Sequence, residues 1–425
     1  MNIKLYYKNV MCRLFTVAIV LILLPQVALC ENHSRDEVRE MYSQLYAKPA
    51  RTPYAVVPDA SAFSAGALTW DAQMQAMNYT RFMRYLAYLP YDLTLDNIAV
   101  EKAQNAALLL AATDMLSHTP EKPAGMEESL YSSAYYTCST SNIAAFNWFT
   151  DDMLLVSLDY FMQDEADYNL PALGHRRWIL SPRLQKTGFG LANSESGVSY
   201  TVMHVMDFSA EKPDYLHIDW PSAGAFPAEL MTEGTPWSVS LNPDKFDMEA
   251  SSPSIKLTET VSGAQFAFTL PSFEPRANYY AINHESYGEG SCLIFRPDLS
   301  SAGLHGYEQN QIWEVEISGL VTVEGEITTI SYSVEIISLE PIEPVAVEID
   351  PQSLSLAPGE TYALSALVIP SWADDLSVLY ESSDPAIATV DESGLVTAIA
   401  EGCCTITAIT VNGESDVCTL TVSAK

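Results

Sequence analysis

Residues 170–190 read LPALGHRRWILSPRLQKTGFG, a histidine held between a glycine and two arginines and followed at once by tryptophan. The surrounding chain is acidic, with 54 Asp and Glu against 21 Lys and Arg over 425 residues and a formal charge of -33. Four of the eight basic residues between Ala60 and Ser209 lie in this stretch: Arg176, Arg177, Arg183 and Lys186. Such a cluster reads in two ways. It draws a carboxylate, a phosphate or an acidic polymer to the surface, or it fastens a loop by pairing with internal acids such as Asp114 or Asp207. Trp178 and Ile179 read as core.

The overall charge disfavours nucleic acid and anionic membrane surfaces as partners. At the N-terminus, Lys4, Lys8 and Arg13 precede the apolar run Leu14 to Leu24 and then Ala28-Leu29-Cys30, the pattern of a signal peptide over residues 1–30. Its removal takes away three positive charges and leaves -36. Leu29 stands where a bacterial lipoprotein box wants a small residue, so lipid anchoring at Cys30 is not expected. No later run approaches the roughly 20 apolar residues of a membrane span. No sorting motif precedes Lys425. The expectation is a secreted, extracellular protein, with association to the cell surface left open. Cys138, Cys292, Cys403, Cys404 and Cys418 remain, an odd number without the spacing of a disulfide framework. Cys403 or Cys404 bridged to Cys418 and buried free thiols are both open readings.

Residues 31–60 read as a leader. In the stretch ending AQNAALLLAATDMLSHTP, Leu95, Ala99, Ala103, Ala106 and Leu110 recur at helical spacing, and Pro120 is the expected stop. A second helix is expected after Thr150, read as its N-cap, with Leu154, Leu158 and Phe161 as its buried stripe. GVSYTVMHVMDF, residues 197–208, reads as a strand. After Ser209 the pattern turns to short strands between Gly, Pro, Asn and Ser clusters, giving a β-rich region over 210–340. The prolines of PIEP mark a linker at 341–345, and residues 346–425 form a strand-rich end. From Val345 onward there are 12 acids and a single base, the terminal lysine.

Two histidines stand beside element ends. His118 falls in the expected last helical turn, where the carbonyl end favours imidazolium. His175 precedes two guanidinium groups, which favour a neutral ring able to bind a metal or accept a proton. Spacing alone does not bring the two together. Ser117 beside His118 lacks the glycines of a nucleophile elbow, and Gly188-Phe189-Gly190 is too little for a phosphate loop.

WDAQMQAMNYTRFMRYL, AQNAALLLAATDMLSHTP, TSNIAAFNW, YFMQDEADYN and GHRRWILSPRLQKTGFG, in that order, make residues 61–209 resemble the CAP superfamily of cysteine-rich secretory, antigen five and pathogenesis-related proteins, in its bacterial secreted form. The resemblance implies an αβα sandwich whose cleft carries two histidines, His118 and His175, and usually two acids. Where many relatives have Gly-Glu-Asn-Ile, this chain has Thr140-Ser141-Asn142-Ile143, so Ser141 replaces one carboxylate. Asp164 is the register match for the second acid, although Glu165 lies on the stripe of Leu154, Leu158 and Phe161. Asn142, Arg176 and Arg177 are expected beside the cleft, and His204 is read as a sheet residue. LAPGETYALSALVIP and YESSDPAIATVDESGLVTAIAEG, closing on CTLTV, resemble a group 2 bacterial immunoglobulin-like domain. The implied whole is multidomain, a CAP sandwich followed by an all-β domain and an immunoglobulin-like β-sandwich used as stalk or adhesive module.

The function expected from this reading is binding of an extracellular lipid, glycan, peptide or cell-wall component in the two-histidine cleft, with no cofactor required. A metal-assisted hydrolase is the first rival, with zinc on His118, His175 and Asp164. A purely adhesive surface protein is the second.

Overall fold

The computed structural model describes residues 32–45, 52–272 and 277–424. The stretch read as a signal peptide, with Cys30, lies outside the described residues. Among the described residues, six α-helices form: α1 (Arg35–Leu45), α2 (Trp70–Leu86), α3 (Asn97–Thr113), α4 (Glu128–Ser139), α5 (Met153–Gln163) and the short α6 (Gly174–Ile179). The stretch read as a leader therefore carries a helix, whose Tyr42 ring packs 5.3 Å from that of Phe82 on α2.

The first domain is built on a three-stranded antiparallel sheet ordered Ser141–Phe146, Ser199–His204, Phe189–Asn193. Side chains alternate across it as the two-residue period of a strand requires. Ile143, Tyr200 and Val202 join the core under α3 and α4, while Ala144, Leu191 and Met203 join the core shared with α2 and α5. Three layers result. The alanines of α3 let it lie close on the sheet, and the two glycines of KTGFG complete that contact. A Cβ on Gly188 would strike Val100 and one on Gly190 would strike the Ala103 carbonyl. These glycines serve close helix approach.

Two helix boundaries differ from the sequence reading. α3 stops at Thr113, because Asp114 takes a left-handed conformation (φ 49°) and bonds back to Ala111 and Leu110. His118 therefore sits in a loop beyond the helix, and Pro120 does not end it. α5 starts at Met153 with Asp152, not Thr150, as its cap residue.

The middle region is a β-sandwich. One sheet holds Tyr279–Asn283, Cys292–Arg296, Trp237–Leu241 and His217–Trp220, and the other holds Gln265–Phe268, Ser254–Glu259, Ile312–Val321, Ile327–Ile337 and Gly224–Pro227. Trp237, Trp313, Tyr307 and Phe295 pack together, with Trp237 Nε1 donating to the Tyr307 hydroxyl at 2.7 Å. This core is continuous with Phe82 and Phe161 of the first domain. The last region has its own core around Val347, Ile406, Cys418 and Leu420. All five described cysteines are free. Cys404 pairs in register with Leu420 and Cys418 with Ile406, so the two thiols are not opposite each other.

Candidate functional site

His175 is set by three residues from two elements, α5 and the central sheet. α5 ends at Asp164, a buried residue whose left-handed backbone (φ 48°) caps the helix. Asp164 Oδ1 lies 2.9 Å from His175 Nδ1, and Oδ2 accepts the His175 backbone N–H at 3.0 Å. Asn142 on the central sheet donates to the His175 carbonyl at 2.9 Å, and the Phe161 ring packs at 4.9 Å. The Asn169 amide also approaches Nδ1, at 3.4 Å, but the carboxylate is nearer and only accepts, so Nδ1 is assigned the proton. In the neutral ring this leaves the lone pair on Nε2.

His118 is anchored in the same manner. Its Nδ1 donates to the Cys138 carbonyl at 2.6 Å. The Cys138 thiol is buried, and desolvation pushes its pKa up to about 12, so it is an inert packing group.

Both imidazoles line one cavity of about 300 Å³. Ser139, Thr140, Ser141 and Asn142 contribute from the end of α4 and the first sheet strand, Tyr168 and Asn169 from the loop after α5, and Gly174 and Trp178 from α6. Tyr287 comes from the β-sandwich. Among the described lining residues there is no Asp, Glu, Lys or Arg. Ser141, in the place of the family's glutamate, is buried with no hydrogen-bond partner for Oγ.

Several expectations change at this point. Glu165 points away from the cleft and accepts from Thr232 Oγ1 at 2.7 Å. Arg176 and Arg177 form no positive surface and pair with neither Asp114 nor Asp207. Arg176 is fully buried and donates to the carbonyls of Met162, Gln163 and Pro236 and to Ser238 Oγ. Burial lowers its pKa to about 10, which leaves it charged at neutral pH. Arg177 donates to Ala172 O, Asn283 Oδ1, Glu285 O and Gly290 O. Both guanidiniums reach carbonyls because α6 is wedged against the β-sandwich, where the nearby acceptors are strand and loop backbone. Trp178, read as core, is half-buried and lines the cavity. His204 is half-buried beside the cavity's strand but does not line it.

The three-ligand zinc set does not fit these positions. Both Asp164 oxygens are already engaged with His175, and among the described residues no three His, Cys, Asp or Glu groups lie close enough to hold a metal. Tyr287 was missed because it lies over a hundred residues beyond the histidine in sequence. The local signal was Gly174, where a Cβ would stand 3.1 Å from the Tyr287 ring.

The profile of the cysteine-rich secretory protein family, CAP, matches residues 65–206, the span that holds His118, Asp164 and His175. The chain carries a CAP domain over these residues. A second profile, the bacterial Ig-like domain of group 2, matches residues 345–422. Among curated proteins, the CAP-domain chain is 46% identical over 71 residues to lacto-N-biosidase of Bifidobacterium bifidum, covering 17% of this chain and 6% of that protein. It is 29% identical over 189 residues to an Ig-like virion protein of Serratia phage KSP90, covering 43% of this chain and 68% of that one. An intimin mutant of EHEC O157:H7 aligns at 21% identity and a TM-score of 0.15, over 18% of this chain and 45% of that structure, too low for an argument. Among the described residues no helix is long and apolar enough to cross a membrane.

Proposed function

We propose that the protein is exported and binds an extracellular ligand, a lipid, glycan or peptide, in the CAP cleft, with the Ig-like domain as its stalk or adhesive module. The observation that carries this reading is the pair of imidazoles, each anchored through Nδ1 and both opening on one cavity whose described lining holds no Asp, Glu, Lys or Arg. A cavity of this size, part apolar ring and part amide and hydroxyl, suits a small ligand held by a few directional hydrogen bonds. The reading needs no metal. The N-terminal export pattern and the Ig-like domain support an extracellular setting.

Hydrolysis is the second reading, and one observation favours it. The Asp164–His175 pair has the arrangement in which a carboxylate orients an imidazole as general base. Zinc on the histidine pair belongs to that reading as well.

The test is a titration of the full mature chain with one probe of each class: a neutral oligosaccharide, a fatty acid and a mixed peptide library. Binding of one class, weakened at least tenfold in the His118→Ala, His175→Ala double variant, is the expected result. Turnover of a probe, abolished in His175→Ala with the fold intact, transfers the assignment to hydrolysis. No binding of any class contradicts the proposal.

A further inference from the structure

The cleft is completed by the β-sandwich. Tyr287 stands on the loop between the strands Tyr279–Asn283 and Cys292–Arg296, and its ring meets that of Trp178 edge to face, centroids 6.2 Å apart at 76°. The loop is held from the CAP side. Arg177 donates to Asn283 Oδ1 at 2.7 Å, Glu285 O at 2.6 Å and Gly290 O at 2.8 Å, and its guanidinium lies 5.5 Å from the Tyr287 ring centroid. Gly288 has φ +67° and sits where a Cβ would strike the Arg177 carbonyl, so the loop lies directly against α6. The glycine, second arginine and tryptophan of GHRRW therefore all serve to place one tyrosine from another domain beside His175.

We propose that Trp178 and Tyr287 form an aromatic platform for a neutral saccharide, and that the β-sandwich loop sets the ligand specificity of the CAP cleft. The inference rests on the ligand-binding reading above. Two observations choose the ligand class. First, the described lining carries no carboxylate, ammonium or guanidinium, on a chain with 54 acids and 21 Lys and Arg, because the neighbouring Arg176, Arg177 and Asp164 are turned inward and hydrogen-bonded there. A ligand with a formal charge would lose its hydration there without an Asp, Glu, Lys or Arg to pair with. Second, Thr140, Ser139 and Asn169 face the same cavity as the two rings. Hydroxyls and amides match the hydroxyls of a sugar, and flat rings match its C–H faces, whereas a fatty chain would leave Ser141 Oγ, buried in the same lining without a partner, unpaired. The exposed Tyr168 at the cavity's edge extends the aromatic surface, with its hydroxyl 2.6 Å from that of Tyr160.

The experiment is isothermal titration of the full mature chain with chitohexaose, cellohexaose and maltohexaose, repeated on Tyr287→Phe, Tyr287→Leu and His118→Ala. Leucine keeps apolar bulk against Gly174 but has no flat face, and thermal melts of each variant check the fold. Binding of at least one hexasaccharide, kept within threefold in Tyr287→Phe and weakened at least tenfold in Tyr287→Leu, is the expected pattern. Equal binding by Tyr287→Leu overturns the platform, and if His118→Ala still weakens binding the cleft reading survives it. Binding of a fatty acid or peptide but of no hexasaccharide overturns the saccharide assignment while leaving the ligand-binding reading in place.

Discussion

Arg176 shows what the motif does at the scale of one side chain. It is fully buried and its four hydrogen bonds tie the end of α5 to the strand Trp237–Leu241, two on each side. Removing the guanidinium leaves three carbonyls without donors in a dry site, and breaking buried charged hydrogen bonds costs a few kcal/mol. Arg176→Met is therefore expected to lower stability by about 2–5 kcal/mol, read as a shift in urea midpoint at constant slope. A loss under about 1 kcal/mol would mean that the carbonyls find other donors. Two adjacent arginines beside a histidine were legible as a special site, but not their direction. A surface cluster and a buried clamp have the same sequence, and only the position of the β-sandwich decides between them. The same holds for Asp164 and Glu165, neighbours of which one reaches His175 and the other Thr232.

Between elements, α2 and α5 are joined by the Tyr79 hydroxyl, which donates to Asp159 at 2.5 Å. Burial raises the Asp159 pKa from 3.8 to about 6, with the tyrosine opposing that shift in part. The folded state then holds this proton more tightly than the unfolded chain, so the group's contribution falls as pH rises from about 4 to about 6 and stays low above that. Relative to Asp159→Asn, the wild-type chain is expected to lose about 1–2 kcal/mol across that window, with the half-buried position discounted for solvent screening. Parallel denaturation series at several pH values measure it, and parallel curves for the two proteins would refute the assignment. The helices themselves were largely legible, since Ala99, Ala103, Ala106 and Leu110 do face the core. Their ends were less so. Asp114 stops α3 through a backbone conformation that a proline six residues later gave no hint of, and that error moved His118 from a helix end into a loop.

At the scale of the molecule, a CAP domain followed by a C-terminal Ig-like domain was legible from sequence motifs, but the way they are joined was not. The core of α2 and α5 runs into the β-sandwich without a break. α1, in the stretch read as a leader, reaches both later regions: Arg39 pairs with Asp374 of the Ig-like domain at 2.8 Å, and Arg35 with Asp374 at 3.2 Å and with Glu335 of the β-sandwich at 2.5 Å. Asp374 also accepts the backbone N–H of Ile342 in the proline-marked linker at 2.6 Å. Long-range contacts of this kind leave no periodic trace in sequence, and the Tyr287 wall of the cleft belongs to the same class. They make the cleft a property of two domains together.

The proposal that the two-histidine cleft takes an organic ligand, with zinc belonging to the rival hydrolytic reading, is tested most directly by zinc content after incubation with excess zinc and desalting, measured for the full chain and for His118→Ala, His175→Ala. The account predicts far less than one zinc per chain, with no difference between the two proteins. One zinc per chain, lost in the double variant, would contradict it.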